Sequence, residues 1–425
     1  MFRIFLTLSA FTLLALPLAA ADEWTQWRGP QRDAHVQTKD WPASLGEDML
    51  KPMWRKELGP SYSGPIVSRD KIFVTETENK SHETIRALDR TTGEEIWKTK
   101  WEGAMKVPFF ANRNGSWIRA TPILDGDRLY VGGIRDVLVC LNANTGETIW
   151  KRDFPSEMGS ANPTFGFVSS PMIDGDHIYV QAGAAFLKLN KSDGSMVWKT
   201  LDGEGGMWGS TFSSPVLTTL NGREQIVVQM RNDMVGVNAS DGTVLWKREI
   251  PTFRGMNILT PTFYNDKIFS SSYRGKTFLF EVKGEEGALS LEPVWENKAT
   301  AYMSSPVIIG DHVYMHLQNR RISCIDLKTG EETWRSTDRF GEYWSMVAQK
   351  DRILALDQSG ELVMMKANPK EFEVLDRRQI SEAETWAHLA VVDDAIFVRE
   401  LNAIVAYRWA EKGDAQAASA STPKP

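Results

Sequence analysis

The chain has 425 residues, with 49 Lys and Arg against 55 Asp and Glu, and a formal net charge of −6. A hydrophobic fraction of 42% with 24% charged residues is ordinary globular composition and excludes a mostly disordered chain. No basic run and a pI of about 5.7 argue against nucleic-acid binding, and two cysteines among 16 tryptophans leave the fold to an apolar core rather than to a disulfide framework.

In chain order, residues 1–21 read as a cleaved signal peptide. Arg3 supplies the positive start, 4–18 is an apolar stretch too short to span a bilayer, and Ala19-Ala20-Ala21 offers small residues for cleavage. No Cys follows this stretch to carry a lipid anchor, so an exported soluble protein is expected, periplasmic or extracellular. Nothing later is long and apolar enough to span a membrane. The segment Trp24-Thr-Gln-Trp-Arg-Gly-Pro-Gln-Arg-Asp-Ala-His35 opens the mature chain, and Pro52-Met-Trp54-Arg-Lys-Glu57 stands alone between it and the first repeat.

From there the chain repeats itself. A Pro followed five residues later by Asp and an apolar-aromatic run occurs as Pro65…Asp70-Lys-Ile-Phe-Val74, and again from Pro122, Pro171, Pro261 and Pro306. Two late copies start at Met346 and Leu389, and a stretched one runs from Pro215 to Glu224, making eight. Behind these comes a second signature, Asp89-Arg-Thr-Thr-Gly93…Trp97, repeated at Asn142…Gly146…Trp150, Asn190…Gly194…Trp198, Asn238…Gly242…Trp246 and Asp326…Gly330…Trp334, with Trp295 in a degenerate copy. The first signature reads as two short strands joined by a tight turn. Runs such as Asp136-Val-Leu-Val-Cys-Leu141 supply a third strand, and the Gly marks a hairpin turn of positive φ leading to a fourth that ends at Trp. Lys or Arg after that Trp, as at Arg55, Lys98, Lys151, Lys199, Lys247 and Arg335, gives the two-residue period of a half-buried strand.

Four strands per ~45 residues, repeated, predict an all-β chain: an eight-bladed β-propeller of four-stranded antiparallel blades. The last copy, 386–409, lacks a fourth strand, and the segment around Trp54 has a fourth strand with nothing before it. The two ends are therefore expected to share a blade, closing the ring with an N-terminal strand and removing the open edge. The expected organisation is a signal peptide (1–21), one propeller (22–409) and a disordered tail (410–425). Cys140 and Cys324 each precede a repeat Trp by ten residues, which places them in opposite blades as free, buried thiols.

The Asp/Asn-x-x-[Thr/Asp]-Gly-x-x-x-Trp repeat resembles the tryptophan-docking repeat of PQQ-type propellers, a family that includes quinoprotein alcohol dehydrogenases and bacterial outer-membrane-assembly propellers. The segment 24–35 is similar to the start of exported members, and the resemblance spans about residues 24–409. It implies that the repeat Trp residues pack between blades. It also implies PQQ with Ca²⁺ over the channel if the protein is a dehydrogenase. The adjacent Cys pair, the Cys-x-x-Cys-His haem site and the long insertions of those enzymes are missing here, as is the lipid-anchored Cys of the assembly propellers.

A propeller ligand sits over the central channel, reached by the loops that enter the first strand of each blade. Here those loops are rich in aromatic and cationic residues: Asn112, Trp117, Arg119, Trp208, Arg254, Asn257, Tyr343, Trp344, Trp386 and His388 are the candidate channel-mouth ligand residues. Rings that stack and Arg that pairs with carboxylates suit a flat anionic ligand. Oxygen ligands for Ca²⁺ are scattered over Glu76, Asn112, Asn257 and Glu342. No nucleophile elbow, P-loop or zinc-protease motif is present. Three functions stay open on the sequence: a non-catalytic scaffold binding an unknown protein or small-molecule ligand, a PQQ/Ca-dependent alcohol or sugar dehydrogenase with a carboxylate base, and an outer-membrane-assembly scaffold.

Overall fold

The structure, a computed structural model, describes residues 23–37, 39–108 and 115–410. The expected signal peptide, the tail after Ala410, and Asn112 lie outside these residues. Eight four-stranded antiparallel sheets follow one another, and seven of them are built from four consecutive strands. The eighth joins strand Leu50–Glu57 to Ala403–Trp409. Leu50 pairs with Trp409 and Glu57 with Ala403, and the Trp54 ring lies 6.4 Å from that of Phe397. The closure expected from the sequence is the one observed.

Each signature does a mechanical job. In most of the first hairpins, though not at Arg69 of the first blade, the turn residue before the Asp takes a left-handed φ, as at Gly126 (+58°) and Asn265 (+52°), which Gly and Asn tolerate. In the second, the Asp89 carboxylate accepts bonds from the backbone N–H of Thr91 and Thr92, which fixes a loop that brings Gly93 to φ +73°. Beside the Trp position every fourth strand carries a bulge, for example between Cys140 and Leu141 opposite Trp150. A bulge increases local twist and re-aims a side chain, here turning the indole out of its own sheet toward the next blade.

There the indole lies over the Gly of the neighbouring loop: Trp54 over Gly93, Trp97 over Gly146, Trp150 over Gly194, Trp198 over Gly242, Trp295 over Gly330. In all of these but Trp198 the indole N–H donates to a carbonyl of that same loop, as from Trp54 to Arg90 O at 3.1 Å and from Trp295 to Leu327 O at 2.8 Å. Trp295, degenerate in sequence, thus docks like the others, and the defect lies in the loop 284–289 of its own blade. Trp246, facing that loop, instead donates to Gln225 of its own blade at 2.5 Å. Apolar clusters follow the same logic, each spanning adjacent blades, so the core is distributed around the ring. Cys140 and Cys324 are free, buried and in register with each other, opposite Trp150 and Trp334 in the second and sixth blades. Asp136, expected in a strand, is instead a buried turn residue with φ +65°, and its carboxylate accepts the Gly183 N–H of the next blade at 2.6 Å.

The opening segment has a role that the sequence reading did not assign to it. Residues 24–36 cross the channel as a strap bonded to the inner strands. Trp24 bridges Val67, Thr25 O accepts Leu124 N, and Val36 N donates to Ala348 O. The Arg28 guanidinium, 1% exposed, reaches Pro306 O in the sixth blade, while Arg32 donates to Pro171 O in the third at 2.7 Å. The first, second and third blades are thereby tied to the sixth and seventh through one short segment.

Candidate functional site

Just inside the channel, the residue before each Pro signature forms a belt: Gly64, Thr121, Ser170, Ser214, Thr260, Ser305, Ser345 and His388. Hydroxyls link neighbouring blades by accepting backbone N–H groups. Gly64 N donates to Thr121 Oγ1 (3.1 Å), Thr121 N to Ser170 Oγ (3.1 Å), Ser170 N to Ser214 Oγ (2.9 Å) and Ser214 N to Thr260 Oγ1 (3.0 Å). On the other arc the direction reverses, Leu389 N donating to Ser345 Oγ at 2.8 Å. His388 takes the hydroxyl place in the eighth blade, beside Gly64, and its ring packs near Trp24 and Trp27 at 6.3 and 6.2 Å.

Above this belt, with Trp27 of the strap as its floor, opens a cavity of about 770 Å³. That volume is in the range of ligand pockets. Seven candidate residues line it: Arg119, Trp208, Arg254, Tyr343, Trp344, Trp386 and His388. Three do not. Asn112 is outside the described residues. Trp117 is not among the lining residues, and its indole lies beside Tyr62, which is. Asn257 is buried under its loop, where its amide donates to Arg231 O and Ile250 O (3.1 and 3.2 Å), so it serves loop structure rather than the cavity.

Sequence reading missed Arg231, Phe212 and Tyr62. Arg231 lies between Phe165, Trp208 and Phe212, its guanidinium carbon 4.7 Å from the Phe212 centroid. It donates to Ser210 O and Arg254 O, and burial lowers its pKa to about 10, which leaves it charged at neutral pH. Its position after a strand, remote from any inner-strand loop in sequence, hid it. Arg119 stacks on Tyr62 at 5.3 Å and donates to Gly115 O. At the rim Phe253 is 39% and Trp208 47% exposed, and Arg254 holds a left-handed φ of +55° in the turn Phe253–Gly255.

His388 offers no base. It is buried, desolvation lowers its pKa to about 3, and its Nδ1 donates to Leu389 O at 2.8 Å. The oxygen set considered for Ca²⁺ does not converge. Glu76 is bonded to Gly59 N and Arg86, Glu342 pairs with Arg320, and Asn257 is committed to backbone carbonyls. No Asp or Glu is among the described lining residues, and the described residues contain no cluster of three potential metal ligands. Calcium needs several oxygen donors, so the residues described do not fit a Ca²⁺-held quinone.

Fold and docking repeat together define a closed PQQ-type propeller with a blind cup over its channel. The family model described as outer membrane protein assembly factor BamB matches residues 81–336, and the chain belongs to that family. It is 22% identical over 382 residues to the outer membrane protein assembly factor BamB of Shewanella oneidensis, covering 84% of this chain and 85% of that protein. Among solved structures, BamB from Moraxella catarrhalis superposes with a TM-score of 0.61 at 14% identity (84% of this chain, 97% of that one). A quinohemoprotein alcohol dehydrogenase from Pseudomonas putida HK5 gives 0.63 at 11% identity (95% and 82%). At these identities the structural likeness shows the fold alone.

Proposed function

We propose that the protein is an exported, non-catalytic docking scaffold of the bacterial envelope, which holds a partner protein at the cup end of the propeller. The observation that carries this reading is the chemistry of the cup: aromatic and Met walls, arginines, exposed rings at the rim, and among the described residues no carboxylate and no titrating His. A quinone-dependent dehydrogenase would need a carboxylate base and calcium oxygens there. Proteins of related sequence are assembly factors for outer-membrane proteins, which suits a binding rather than a catalytic cup. Residues 1–21 are read as the export signal, leaving a mature chain that starts at Asp22 and works in the periplasm.

The test is photo-crosslinking in cells from a benzoylphenylalanine placed at Trp208, with N-terminal sequencing of the mature protein. Adducts to proteins of the outer-membrane assembly apparatus are expected, on a chain starting near Asp22. Dye reduction dependent on added PQQ and Ca²⁺, with no protein adduct from Trp208 or Phe253, would overturn the reading.

A further inference from the structure

The molecule as a whole is acidic, with a net charge of −6. Its cup is not. Arg119, Arg231 and Arg254 line it, and Arg274 stands over the Phe253 ring at the rim, 4.8 Å from its centroid. No described carboxylate lines the cavity.

The hydrogen bonds of Arg119 and Arg231 go to backbone carbonyls, one for the first and two for the second, out of five N–H groups on each guanidinium. Removing a guanidinium from water without a counter-ion is costly. A protein that keeps two such groups in one apolar cavity leaves a standing attraction for an anion. Hydroxyls of the floor belt accept backbone N–H groups through their oxygens, so their O–H hydrogens are free to add donors. Around these polar points the walls are Phe, Trp, Tyr and Met, and the most exposed of them, Met207, Trp208 and Phe253, ring the entrance.

We infer that the cup takes a partner segment in which aromatic side chains alternate with carboxylates, the rings entering the aromatic walls and the carboxylates pairing with Arg231, Arg119 and Arg254. This rests on the docking reading above and names the partner's chemistry. Charge complementarity selects an acidic segment, and the volume of about 770 Å³ holds a few residues rather than a domain.

Calorimetric titration of the full mature protein with acetyl-Phe-Asp-Phe-Asp-Phe-amide, and with the isosteric peptide carrying Asn for Asp, decides it. The acidic peptide is expected to bind at least tenfold more tightly, as one or two charge-assisted contacts would give. R231Q should lose about that factor for the acidic peptide and less than twofold for the neutral one. R254Q, at an exposed rim position whose loss leaves the core intact, should lose about threefold. Equal affinity for both peptides, no binding of either, or an R254Q and R231Q pair that leave the acidic peptide unchanged would overturn the inference. So would displacement of the peptide by PQQ bound more tightly than it, which would make the occupant a small molecule. Crosslinks from Trp208 to an assembly protein, with no discrimination between peptides, would sink this inference and leave the docking reading standing.

Discussion

The indole of Trp54 covers Gly93 so closely that a Cβ added there would lie 2.5 Å from the ring. One residue belongs to the strand that completes the last blade and the other to the first blade, so this contact is the seam at which the ring closes. It repeats the geometry of Trp97 over Gly146 and Trp150 over Gly194, and differs in that the strand carrying Trp54 is held in its blade by pairing with the C-terminal strand Ala403–Trp409.

Trp54→Ala should therefore destabilise the protein more than its half-buried surface suggests. The substitution removes the ring and its hydrogen bond to Arg90 O, and it frees the strand that seals the edge. A cost of about 3 kcal/mol is expected from large-to-small substitutions of this kind, read as a fall in the denaturant midpoint. Trp246→Ala, whose indole bonds within its own blade, should leave the association of the two chain ends intact in limited proteolysis.

Gly93→Ala tests the same seam from the other side. Both the crowding by Trp54 and the φ of +73° oppose a side chain, so a loss of about 2 kcal/mol is expected. Gly126, equally left-handed but with open space around it, should cost no more than about 1 kcal/mol.

The legible part of the fold is the part that repeats. Blade count, strand order and closure were readable because Pro65, Asp70, Gly93 and Trp97 recur at fixed spacing, and Trp54 was a Trp without its preceding strands. The sequence reading passed over the hydroxyl belt, although Thr121, Ser170, Ser214 and Thr260 occupy one repeat position, because only their bonds between blades give that position a purpose. What was hidden does not recur. Arg28 meets Pro306 across 278 residues, and no local pattern announces it. Asn257 looked like a ligand residue because it is polar and in a loop, whereas the loop itself consumes its amide.

Stability should fall as pH rises from about 6.5 to 8, above the range in which the buried neutral His316 and His388 offset the effect. Burial pushes the Glu83 carboxyl up to about 8 and Asp136 up to about 7, each well above its unfolded value. The folded state then holds protons that the unfolded state has released, so the contribution is complete below about pH 4 and is lost as pH climbs through 7 and 8. Glu83→Gln, which keeps an acceptor for the Ile134 N–H, should flatten the slope of denaturation midpoint against pH.

Both thiols should be silent in the native protein. Burial raises Cys140 and Cys324 to about 11, and they sit on opposite sides of the ring. Ellman's reagent should find two equivalents only after unfolding, and mild oxidants should leave the monomer uncrosslinked.

Arg28→Ala should lower stability and also unseat the floor of the cup, because Trp27 is its neighbour in the strap. A loss of about 3 kcal/mol, with easier acrylamide quenching of tryptophan emission, is the expected pair of readings.

The strap also imposes an order of events on the newborn chain. Trp27 leaves the ribosome, and any export channel that works from the leading end, long before Pro306 does. At roughly 5–20 residues per second, the separation of 278 residues amounts to roughly 15–55 s. During that interval the vessel has walls under construction and no bottom. The earliest stretch of the mature protein to be made can reach the first three blades early but completes its seat only with the sixth and seventh, so a molecule interrupted before its sixth blade would hold its stopper by one side alone.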